Sequence, residues 1–161
     1  MSACTSDACL PTKKAILAGK EIIEEVFQEL KATIPNLTID ETYTLEEGKI
    51  APKRGIFPSS ILSIPKGEDF PQPIKIMIFI NVLNAKEKEA EISGGWSFGP
   101  GADTQEEAIY VKLLEVVFFL KQENGPLFKG SLTEKAEIQT KIRAYLQKVL
   151  QDYRQVLETI A

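Results

Sequence analysis

Residues 74–83 read Ile-Lys-Ile-Met-Ile-Phe-Ile-Asn-Val-Leu. Isoleucine or valine takes every second place from Ile74 to Val82, the two-residue period of a β-strand. Met77, Phe79 and Leu83 put apolar surface on the opposite side as well. Apolar residues on both faces belong to a central strand rather than an edge. The stretch Asn84 to Lys88 then turns the chain into Glu89–Phe98, where Ala90, Ile92, Trp96 and Phe98 alternate with polar partners such as Glu89, Glu91, Ser93 and Ser97. The two segments together predict a β-hairpin with a longer loop.

Upstream of this hairpin the pattern is helical and then extended. Thr12 is a candidate N-cap for a helix to about Ile34, because Ile16, Ile23, Val26, Phe27, Leu30 and Ile34 fall on one 3.6-period stripe. Pro35 and Asn36 end it, and Leu37–Glu46 alternates with period two as a half-exposed strand suited to a sheet edge. The Pro-rich stretch 47–73 leaves room for one more strand at Ile61–Ile64.

Downstream, Thr104 and Glu107 form a capping box for a helix to Lys121 that is apolar nearly all round, ended by Asn124, Gly125 and Pro126. Ser131 and Glu134 form a second box opening a helix to about Thr159, roughly 42 Å long. The element order predicts an α+β fold (α-β-β-β-β-α-α). An antiparallel sheet of about four strands carries an N-terminal helix and two C-terminal helices packed mainly on one face. A flexible tail over 1–11 precedes a single domain over 12–161.

Composition excludes several chemistries. None of the 161 residues is histidine, so Ser-His-Asp or Cys-His nucleophiles and imidazole metal sites are absent. The two cysteines, Cys4 and Cys9, both precede the patterned region and cannot complete a zinc site alone. No metal and no cofactor is expected. A net charge of -4 and a pI near 5.1 give no footprint for nucleic acid. No apolar run is long enough to span a membrane, and the first ten residues lack a signal-peptide pattern, so a cytoplasmic protein is expected.

Four places invite a functional reading. In 94–103, four glycines surround the only tryptophan. A phosphate cradle is opposed by Asp103, Glu106 and Glu107 at the next helix start. That leaves a strand end with Trp96 in the core, or a partner surface built on Trp96 and Phe98. Lys53 and Arg54 belong to the densest basic cluster and could bind an anion, although a solvated loop is the plainer reading. Glu68 and Asp69 sit in the loop 65–73, where a solvated turn is the plain reading. The apolar stripe of the last helix, with Val149, Tyr153 and Val156 nearest the contact, could meet a homodimer partner or another protein.

The function expected from this inventory is a non-enzymatic protein-binding module of the chaperone, inhibitor or immunity type, acting through the Gly/Trp loop and the long C-terminal helix. Its partner is a protein or a second copy, with no nucleic acid and no membrane. The alternative is a histidine-free small-molecule or Mg²⁺-dependent enzyme using Asp40, Glu47, Glu68, Asp69, Lys53 and Arg54.

Overall fold

The structure is a computed structural model, and it describes residues 10–41, 43–46, 49–52, 59–98, 119–122 and 125–160. Helix α1 spans Leu10–Thr33 and begins slightly before Thr12, with Pro11 in its first turn, where a missing N–H is harmless. Ala15, Ile16, Ile22, Ile23, Val26 and Phe27 form its buried face. Four strands precede the hairpin predicted from the sequence, β1 (Thr38–Glu41), β2 (Tyr43–Glu46), β3 (Lys49–Pro52) and β4 (Ser59–Ile64), and β5 (Ile74–Asn84) opens it. Strand β6 (Glu89–Phe98) completes that hairpin, and β7 (Phe119–Gln122), β8 (Phe128–Ser131) and helix α2 (Lys135–Ile160) finish the chain.

The fold is α+β, as the element order predicts. Its main sheet has six antiparallel strands in the order β1-β4-β5-β6-β7, with β8 also on β6. Strand β6 shares its far side between two partners, β8 along Glu89–Ile92 and β7 along Gly95–Phe98, so six strands fill five positions. The expectation of about four strands is corrected upward, because β2 and β3 also form a separate two-stranded ladder and β7 and β8 complete the sheet. Strand β5 is central, flanked by β4 and β6, as its two-sided hydrophobicity requires.

Two further expectations need correction. The helix read from Thr104 to Lys121 cannot extend through Phe119–Gln122, which pairs with β6 as strand β7; residues 101–118 lie outside the described residues. Ser131 is not a helix cap. It ends β8, and its hydroxyl accepts from the Thr133 amide at 3.2 Å, while α2 starts four residues later.

Register and burial assign the faces. Leu62, Ile64, Ile74, Ile76, Ile78, Ile80, Ala90, Ile92, Trp96 and Phe98 share one face and are all buried. Both helices lie there: α1 meets the sheet where Gly19 lets Ile80 approach, and α2 where Gly94 lets the Tyr145 ring approach. The helices run parallel to each other. Lys135 and Gln139 reach Glu25 while Arg143 reaches Glu29, so position advances in the same direction along both. Among the described residues no helix is long and apolar enough to cross a membrane.

Candidate functional site

The other face of the sheet carries a row of polar side chains that crosses four strands. Thr38 stands opposite Ser63, Ser63 opposite Lys75, and Lys75 opposite Ser97. Directly opposed residues in such ladders hold their Cβ atoms about 4.5–5.5 Å apart. Lys75 is 7% exposed and Ser97 5%. A lysine this buried in a central strand is unusual, since ammonium groups are rarely taken from water without a polar setting.

A cleft of about 330 Å³ opens over the β1 end of this row. Thr38 and Asp40 of β1 form one wall, with Asn36 just before them. Ile61, Ser63 and Ile64 of β4 form the floor, with Pro65 at the end of the strand and Lys75 of β5 behind. Its volume falls at the lower end of the range for small-ligand or side-chain pockets. The cleft is thus lined by one buried lysine, two hydroxyl residues, one amide and one carboxylate residue, over apolar ground from Ile61, itself 3% exposed. Strand β1 is the edge of the sheet, and among the described residues β4 is its one strand neighbour.

The residues singled out from sequence are placed differently. Trp96 and Phe98 are fully buried on β6, and Val149 and Tyr153 of α2 are each 1% exposed. They meet one another: Tyr153 lies edge-on to Phe98 at 5.4 Å and to Trp96 at 6.4 Å, and tilts over Phe70 at 5.8 Å. The Tyr153 hydroxyl donates to the Gln72 carbonyl at 2.6 Å and accepts from the Gln72 amide at 3.0 Å. Burial pushes its phenol pKa up, and the Gln72 amide partly offsets this. Val156 is half-buried against the same core. Four of the five side chains expected at a partner surface therefore hold the domain together instead.

Glu68 and Asp69 are exposed at the tip of a tight turn closed by Gly67–Phe70 main-chain bonds of 2.9 and 3.2 Å. Neither lines the cleft that contains Asp40. Glu47, Lys53 and Arg54 lie outside the described residues, as do Cys4 and Cys9. Among the described residues no group of three or more His, Cys, Asp or Glu is placed to hold a metal ion.

A second hollow of about 190 Å³ lies between the helices, lined by Val26, Leu30, Leu146 and Leu150 and rimmed by the Glu29–Arg143 pair. Arg143 there binds Glu29 through both Nε and Nη2 at 2.8 Å, which lowers the Glu29 pKa and raises that of Arg143. No protein-family model, no curated protein and no solved structure matches this chain.

Reading from the sequence passed over Lys75, Thr38 and Ser63. The available signal was Lys75 itself, the one charged residue inside a strand that is otherwise apolar on both faces apart from Asn81 and the terminal Asn84.

Proposed function

We propose that the protein is a binding module for another protein, taking an extended segment of its partner along the outer edge of β1 with one side chain of that segment in the cleft. The observation that carries this is the coincidence of edge and cleft: the same strand that ends the sheet supplies, through Thr38 and Asp40, one wall of the cavity. Adding a strand to such an edge gains affinity from main-chain hydrogen bonds and specificity from pockets for alternate side chains. The lack of histidine throughout the chain favours binding over acid–base chemistry. A second copy of β1 is a poor occupant, because pairing two such short strands brings Asp40 of both copies onto one ladder.

A displayed library of random peptides, selected on the full chain, tests this. Enriched peptides are expected to slow hydrogen–deuterium exchange at residues 38–41 when they bind. Selection that enriches nothing over a bare support, or slowed exchange confined to other elements, would overturn the proposal.

A further inference from the structure

We infer, resting on that binding mode, that the side chain seated in the cleft is an uncharged carboxamide, with glutamine the best fit. Among the described residues, Lys75 and Asp40 are the charged groups that line the cavity, one of each sign, and each already has interactions within the chain. Neither charge is left over for a ligand. An added carboxylate or ammonium would lose its water on entering without gaining a counter-ion, which is costly. The occupant that fits such a balanced cleft carries no charge of its own.

The uncharged groups say which neutral side chain it is. Thr38 and Ser63 are opposed in register and Asn36 lies just before β1, so two hydroxyls and an amide line the cavity, each able to give and to accept hydrogen bonds. An aliphatic occupant would cover these groups without replacing the water they bind. A carboxamide carries both donors and an acceptor, and replaces it. Length follows from the sheet. A strand added outside β1 stands one strand spacing, about 4.8 Å, from Thr38 and two from Ser63. Serine or threonine on that strand meets Thr38 alone, whereas glutamine reaches past Thr38 towards Ser63. Its methylenes then cross the apolar ground of Ile61 and Pro65.

The peptides selected on the full chain carry the test. Those that protect residues 38–41 are expected to share Gln, or the shorter Asn, at one position. Two replacements in the peptide separate charge from hydrogen bonding: Glu keeps the length and adds a charge, while Met keeps the length and removes the polar end. In fluorescence anisotropy Glu at that position should weaken binding about tenfold, the cost of an uncompensated charge at a partly open site. Met should weaken it about fivefold, the size of a neutral hydrogen bond. Charge balance is tested from the protein side by Asp40→Asn, a change at an exposed position. It leaves the cleft with one positive charge in excess, so selection on this variant should move the shared position towards Asp or Glu. Peptides that protect residues 38–41 on the wild type but share an acidic, basic or aliphatic residue, or no residue at all, would overturn the assignment and leave the edge-binding mode intact. Equal affinity for the Gln, Glu and Met peptides would do the same. A Gln preference unchanged by Asp40→Asn would refute charge balance as its cause. A selection that yields no peptide protecting residues 38–41 removes the binding mode, and this assignment with it.

Discussion

At Gly94 a Cβ atom would stand 2.6 Å from Tyr145 Cε2 and 2.7 Å from Cζ. The obstacle is the rigid, buried ring of Tyr145 on α2, so the clash cannot be relieved by rotating a side-chain end. Gly94→Ala is expected to destabilise the protein by about 1–3 kcal/mol, the usual scale of overpacking, measured as a lowered urea midpoint. Gly19 gives the contrast. Its added Cβ meets Ile80 Cδ1 at 2.9 Å, a terminal methyl that can swing aside, and alanine is the better helix former. Gly19→Ala should therefore be close to neutral, and equal losses at the two glycines would contradict this account of the Tyr145 contact. Tyr153 offers a second residue-scale test. Tyr153→Phe keeps the aromatic cluster but strips both Gln72 hydrogen bonds, for an expected cost of about 1–2 kcal/mol. Its phenol pKa is raised in the folded state, so its contribution is full below the ordinary phenol range and is lost as the pH rises and the unfolded phenol ionises. Thermal unfolding of wild type should fall off in alkali, and the Phe variant should fall off less.

Elements were legible where one period ran long enough to speak for itself. The stripes of α1 and α2 and the alternation of β5 and β6 all appear in the structure within a few residues of the predicted bounds. Strand β7 was missed because Phe119 and Leu120 end an apolar run that suits a helix or a strand equally. What settles it is the free half-edge of β6 beyond β8, a partner distant in sequence. Ser131 and Glu134 have the spacing of a capping box, but pairing of Ser131 with Glu89 extends β8 through that residue and moves the helix start onward. The parallel contact of α1 with α2 makes its own prediction. Lys135 beside Glu25 and Arg143 beside Glu29 lower both carboxyl pKa values. A lowered carboxyl pKa adds stability above the unfolded value, and that stability is lost as the pH falls through the folded one. The pairs are exposed, so the effect is small and is weakened by salt. Replacing Glu25 and Glu29 together by Gln should shallow the acid limb of a pH–stability curve at low salt. An unchanged limb would show that the helices hold together by their apolar contacts alone.

For the whole molecule, excluding other chemistries leads from the sequence to a protein-binding class, but the anchors it suggests are buried among the described residues. Trp96, Phe98, Val149 and Tyr153 carried a strong signal of importance, but abundance and periodicity cannot separate an interface stripe from a core stripe. The Thr38–Ser63–Lys75 row could not be read along the chain at all, since its members are brought side by side by strand order and register. The same placement of the apolar stripe bears on assembly. Tyr145, Leu146, Val149 and Tyr153 spend their surface against the sheet and α1, and among the described residues Leu83 is the large hydrophobic side chain left exposed, at 45%. A stable symmetric dimer needs about 800 Å² of buried surface from each copy, and one leucine beside the bulge at Val82/Asn84 does not supply it. Sedimentation velocity at micromolar concentration tests the stripe: no dimer held through Val149 and Tyr153 is expected, since both are buried within the chain. Val149→Glu, which forces a charge into a site 1% exposed, should unfold the protein, whereas Val156→Glu at a half-buried position should cost much less. A concentration-dependent dimer that Val149→Glu splits into folded monomers would instead return the stripe to an interface.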